Sequence, residues 1–154
     1  MTSDYYQFAY VTNDFDQAIA MLREQHGMGP FHELRDLALP TGPDRVAEGH
    51  FGVAFKAGMQ FEVIEPLGGD IGIYAGLLSE AEFGMAFHHL GRCFFSLDDY
   101  RAALASAAAQ WEMPIDHEAF GGFFAYADAR PRFGHYLEYF CFPDGRHLAG
   151  VPHY

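Results

Sequence analysis

Along the chain, apolar runs alternate with short polar breaks, and the spacing of the apolar positions changes from run to run. Residues 4–12 (DYYQFAYVT) form an apolar and aromatic stretch with the length and composition of a strand. Asn13 and Asp14 then offer a helix N-cap, Gln17 lies three residues after Asp14, and Gly27 is placed to end the helix. Ile19, Met21 and Leu22 supply its buried stripe. Strands are predicted near 31–37, 46–56 and 59–66. A similar order returns downstream. The run from His89 reads as a strand, Ser96 is a cap with Asp99 three residues on, and Leu97, Tyr100, Leu104 and Trp111 fall at helical spacings. Further strands are predicted near 114–118, 121–128 and 134–142. The Gly-rich segment 67–85 reads as a joining stretch with room for one short helix, and 38–48 (ALPTGPDRVAE) reads as a loop.

The recurrence is a repeat. A shift of 82 carries Gln7 onto His89, Phe15 onto Leu97, Asp16 onto Asp98, Ala20 onto Ala102 and Leu22 onto Leu104. Further on, a shift of 76 carries GMQFEVI from Gly58 onto GHYLEYF from Gly134, as Gly-x-x-apolar-Glu-apolar-apolar in both. The six-residue difference is the size a loop deletion absorbs. The prediction is a βαβββ unit written twice: a first module at 1–66, a join at 67–85 and a second module at 86–154. They would form one α+β domain with a curved mixed sheet.

Composition narrows the function. Nine Lys and Arg against 21 Asp and Glu give a net charge of −12, the wrong sign for a phosphate backbone or an anionic membrane surface, so neither nucleic acid nor membrane is an expected partner. No stretch has the length of a membrane span, and MTSDYYQF lacks the features of a signal peptide, so a cytoplasmic protein is expected. Cys93 and Cys141 stand far apart in apolar segments without a CxxC spacing and read as reduced core thiols. Aromatic residues make up 17%, which suits strands around an apolar pocket for a small molecule.

The repeat also places chemistry. Side chains alternate along a strand, so Tyr5, Gln7, Ala9 and Val11 share one face, and His89, Gly91, Cys93 and Phe95 the equivalent one. In the closing strands Gln60, Glu62 and Ile64 share a face, as do Gly134, Tyr136, Glu138 and Phe140. Gln7, Glu62, His89 and Glu138 thus fall at two pairs of equivalent positions in apolar strands. A carboxylate there is costly unless a cation, a donor or a metal meets it. Two carboxylates, an imidazole and an amide oxygen suit a divalent ion such as Zn, Ni, Co, Mn or Fe(II), and the lack of thiolates disfavours a closed structural zinc site. The alternatives are salt bridges from Glu62 and Glu138 to Arg92 or Arg130, a core histidine at His89, and a Gln7 amide bonded to backbone. Strand alternation sends His88 to the face opposite His89. Gln60 and Tyr136 project towards the same cleft as candidate substrate contacts. His50 and His135 read as surface or loop-edge residues, and the C-terminal HLAGVPHY as a tail packed on the surface.

YVTNDFDQAIAML, HGMGPF, FEVIEPLGGD, FHHLGRCFFSLDD and GHYLEYF, in this order and spacing, resemble the vicinal oxygen chelate superfamily over nearly the whole chain. That superfamily includes glyoxalase I, methylmalonyl-CoA epimerase, bleomycin-resistance proteins and extradiol dioxygenases. The resemblance implies paired βαβββ modules around a metal cleft, with Gln7, Glu62, His89 and Glu138 at the ligand positions. It implies a lyase or isomerase working through an enediolate or enolate, with Glu138 or Glu62 as base. It also implies a homodimer. PLGGD and the paired histidines look most like the epimerase branch, where the first ligand position usually holds His; glyoxalase I enzymes include some with Gln, as at Gln7. Two further readings follow from the same likeness: a bleomycin-resistance-like protein that holds a ligand without turnover, and an Fe(II) dioxygenase, whose pattern is two His and one carboxylate.

Overall fold

The computed structural model describes residues 4–143. The chain runs β1 (Tyr5–Thr12), α1 (Phe15–His26), β2 (His32–Gly42), β3 (Arg45–Lys56), β4 (Met59–Gly69), β5 (Met85–Phe94), α2 (Leu97–Ala108), β6 (Ile115–Ala119), β7 (Gly122–Ala127), α3 (Arg130–Phe133) and β8 (Tyr136–Cys141). All eight strands join one mixed sheet in the order β2-β3-β4-β1-β5-β8-β7-β6. The sheet curves until its edges, β2 and β6, approach each other. This is the predicted α+β architecture.

Local chemistry sets the elements. Asp14 caps α1, its side chain accepting from the Gln17 N–H, and Gly27 ends the helix at φ 61°. Phe15, Ala18, Ile19 and Leu22 are the buried face of α1 and pack on Val63 of β4, whereas Met21 is only half-buried. Ser96 caps α2 through the Asp99 N–H, and Tyr100 and Ala107 are buried beneath it. Trp111 lies past the end of α2, half-buried.

Three expectations change. Segment 38–48 is a hairpin and not a loop: β2 continues to Gly42, β3 begins at Arg45, and Pro40 pairs with Val46. Because β2 is an edge strand, the N–H that Pro40 lacks is not missed by a second neighbour. Between β4 and β5 there is no helix; β4 runs through Gly69 and turns follow, carrying a fully buried Tyr74. The short helix α3 precedes β8, so that strand starts at Tyr136 instead of Gly134. HLAGVPHY lies outside the described residues.

The pairing places the site. β1 runs parallel to β4 with Gln7 beside Gln60, and β5 runs parallel to β8 with His89 beside Tyr136. β1 and β5 are antiparallel neighbours at the centre of the sheet. Gly58 and Gly134, equivalent in the repeat, both stand at φ 77° just before β4 and β8, a backbone setting that costs glycine least. Cys93 and Cys141 are buried thiols. No helix among the described residues is long and apolar enough to cross a membrane.

Candidate functional site

The β1–β5 pairing contains a bulge. Ala9 faces His89 and Tyr10 faces Phe87, so His88 is an extra residue in β5. The bulge overturns the expectation that the two imidazoles point to opposite faces. Both rings are buried, each packs against Tyr126, and their Nδ1 atoms are 2.7 Å apart.

This contact fixes how the protons are arranged. His88 Nε2 lies 2.8 Å from the Ile73 carbonyl, which can only accept, so His88 carries its proton on Nε2. Burial, with His89 beside it, pushes the His88 pKa down to about 3, so the ring is neutral and its Nδ1 accepts. His89 therefore donates from Nδ1, and its Nε2 is turned into the site. There it meets Gln7 Oε1 at 2.8 Å, Glu138 Oε2 at 3.1 Å and Glu62 Oε2 at 3.6 Å. One nitrogen faces three acceptor oxygens. A proton or a metal cation on that nitrogen reconciles them; a bare lone pair does not.

The surrounding side chains hold this arrangement. Gln7 donates from Nε2 to Gln60 Oε1 at 2.6 Å, which leaves Gln7 Oε1 aimed at His89. Gly91 provides the room: a methyl group there would sit 2.8 Å from Gln7 Oε1. Burial, reinforced by the Glu138 charge, raises the Glu62 pKa well above the ordinary carboxylate range. Arg92 pairs with Asp4, and Arg130 with Asp128, so the arginines considered as partners for the two glutamates are engaged elsewhere.

Of the residues singled out in the sequence, Gln7, Glu62, His89 and Glu138 converge here. Glu62, His89 and Glu138 offer one ligand atom each within 4.8 Å of one another, a group that could hold a metal ion. One imidazole and two carboxylates, with an amide oxygen beside them and no thiolate, fit a divalent ion of hard or borderline character. Gln60 orients Gln7 and also lines the cavity over the site. Tyr136 lies with its ring 5.0 Å from that of His88 and Arg130 over it, outside the cavity lining. His50 accepts from the Asp36 N–H, and His135 contacts the Tyr136 carbonyl; neither joins the site.

Sequence reasoning missed His88, Tyr74 and Tyr126. The HH pair was the only signal for the first. Tyr74 and Tyr126 have hydroxyls 3.4 Å apart and both line the cavity, and burial raises both phenol pKa values. The cavity has a volume of 430 Å³ and is bounded elsewhere mainly by Leu and Phe side chains.

Comparison with known proteins bears on the fold. The chain superimposes on Streptomyces coelicolor methylmalonyl-CoA epimerase in complex with 2-nitronate-propionyl-CoA with a TM-score of 0.60 at 11% identity, covering 92% of this chain and 98% of that one. For the epimerase from Mycobacterium tuberculosis the TM-score is 0.60 at 17% identity, over 94% and 90% of the two chains. A methylmalonyl-CoA epimerase holding methylmalonyl-CoA and NH4+ gives 0.57 at 12%, over 88% and 91%. Neither a protein-family model nor a curated protein matches the sequence. The shared feature is the fold, a curved mixed sheet flanked by helices.

Proposed function

We propose that this chain is a metal-dependent enzyme of the glyoxalase or epimerase type. It would move a proton on a carbon next to a carbonyl in a small molecule, as a lyase or an isomerase. The observation that carries the reading is the convergence of Glu62, His89 and Glu138, with His88 fixing the tautomer that turns His89 Nε2 inward. Gln7, Glu62, His89 and Glu138 would hold a divalent cation; when bound, that ion supplies Lewis acidity to a substrate carbonyl.

The chain's own groups would do the rest. Gln60 and Gly91 keep the Gln7 amide oxygen directed inward. Of the two carboxylates, Glu62 stands further from His89, which suits a group that takes a proton from carbon and returns it. Tyr74 and Tyr126, kept protonated by burial, offer hydroxyl donors along the cavity wall. The surrounding apolar side chains exclude water from the transfer.

The test is proton NMR in deuterium oxide. Protein loaded with Mn2+, and freed of it before the spectrum, is incubated with small α-hydroxyketones. Deuterium should enter at the carbon beside the carbonyl, and Glu62→Gln should slow this by about 10²–10⁴-fold, the usual scale for a general base. Full exchange by metal-free protein, or by Glu62→Gln, contradicts the proposal. The apolar wall favours a second reading, capture of a ligand without turnover, for which tight binding with no exchange is the signature.

A further inference from the structure

The cavity above the carboxylates has a wall chemistry that specifies its occupant. We infer that the substrate is a neutral molecule with an apolar, ring-sized body, and not a coenzyme A thioester or another polyanion. The inference rests on the proton-transfer reading above and narrows its substrate.

Three observations carry it. The first is the wall. Leu37, Leu39, Phe51, Phe124, Phe140 and Phe142 are among the side chains that line the 430 Å³ cavity, a volume that suits a small organic molecule. Gln7, Gln60, Glu62 and Glu138 gather in one part of the lining, and His32, Tyr74 and Tyr126 are the other polar residues in it. A ligand matching this layout has oxygens at one end and an apolar remainder.

The second is charge. No Lys or Arg is among the described residues lining the cavity. Arg35, Arg45, Arg92 and Arg130 are each paired with a carboxylate of their own, which further reduces their attraction for a phosphate. Glu62 and Glu138 would together neutralise a divalent ion, so no net positive charge remains beside them to attract the carboxylate of a malonyl group. The whole chain carries −12, which repels polyanions at a distance.

The third is the rim. Phe120, in the β6–β7 turn, is 64% exposed and stands at φ 54°, a left-handed conformation that suits Asn or Gly and strains a bulky side chain. Its ring, with the exposed Leu34 of β2, belongs to the cavity lining. A strained, solvent-facing aromatic residue that lines a pocket gives a ligand's apolar body a surface to lie on.

The experiment compares three probes by calorimetry on the full chain, with and without Mn2+. Hydroxyacetone and 2-hydroxyacetophenone share the same two neighbouring oxygens and differ in a methyl against a phenyl group; methylmalonyl-CoA is the polyanion. The phenyl probe should bind about 30-fold tighter than hydroxyacetone, the effect of burying most of a ring. Methylmalonyl-CoA should bind more weakly than the phenyl probe. Phe120→Asn should cut the phenyl advantage about threefold while raising Tm by about 3 °C, because the strain is relieved; a purely structural Phe120 would leave the advantage intact. The inference is overturned by tighter binding of methylmalonyl-CoA, by a phenyl advantage below about threefold, or by an advantage that Phe120→Asn does not change. If the phenyl advantage persists while Mn2+ alters no affinity, the metal reading falls and the substrate class stands.

Discussion

Replacing His88 with Phe tests the relay beneath the site. His88 is 1% exposed, with the rings of Tyr74 and Tyr136 at 4.9 and 5.0 Å. Phenylalanine keeps the ring and its packing but has neither nitrogen. The Ile73 carbonyl loses its donor, and the His89 Nδ1–H loses its acceptor at 2.7 Å. Each buried group left without a partner costs about 1–3 kcal/mol, so with two such groups metal-free His88→Phe should be less stable by about 2–6 kcal/mol in urea unfolding. His89 would then be free to carry its proton on Nε2, which blocks that atom as a ligand. Loss of such a partner behind a metal-bound histidine costs about 10–100-fold in metal affinity. Zinc and manganese affinities, measured by competition with a chelator at a temperature where both proteins are folded, should fall by that factor. Unchanged metal affinity in a folded His88→Phe variant would refute the tautomer argument, whatever its stability.

Other outcomes follow from single contacts. Asp14→Ala removes the side-chain acceptor 2.9 Å from the Gln17 N–H at the start of α1 and should lower stability by about 1 kcal/mol in thermal or urea unfolding, with metal affinity unchanged. Gly91→Ala puts a methyl group 2.8 Å from Gln7 Oε1 and 3.1 Å from its Cβ, so the Gln7–His89 contact should be displaced and metal binding should weaken, as calorimetry would show. The Glu62 pKa is higher in the folded than in the unfolded protein, so its contribution to stability is fully present below the ordinary carboxylate range and is lost as pH rises through the folded value. Metal-free protein should lose stability relative to Glu62→Gln as pH is raised; a difference that stays flat with pH contradicts the assigned shift.

The order of the elements along the chain was legible because the chain repeats, whereas the order of the strands in the sheet was not read from it. Gln7 and His89, equivalent in the repeat and 82 residues apart, stand beside Gln60 and Tyr136, which are equivalent to each other as well. The carboxylates were legible because Glu62 and Glu138 interrupt apolar strands, where a charge needs a reason. The bulge at His88 was not legible, because a bulge is a property of two paired strands and alternation within one strand cannot report it. The 38–48 hairpin was hidden by Pro40, Gly42 and Pro43, which read as loop until β2 is known to be an edge. Tyr74 reaches the cavity from the turns after β4 and Tyr126 from β7, and nothing in their local sequence announces that approach. Tyr136 projected to the cleft by alternation, yet its ring lies against His88, a residue that alternation had placed on the other face.

Glu62, His89 and Glu138 are proposed to share one cation. An anomalous difference map from a crystal of the protein soaked in zinc tests it most directly. A peak is expected about 2.1 Å from His89 Nε2 and from one oxygen each of Glu62 and Glu138, with His89 Nδ1 still bonded to His88. Density showing His89 Nε2 bonded only to Gln7 and the glutamates, with zinc absent from the site at saturating concentration, would contradict it.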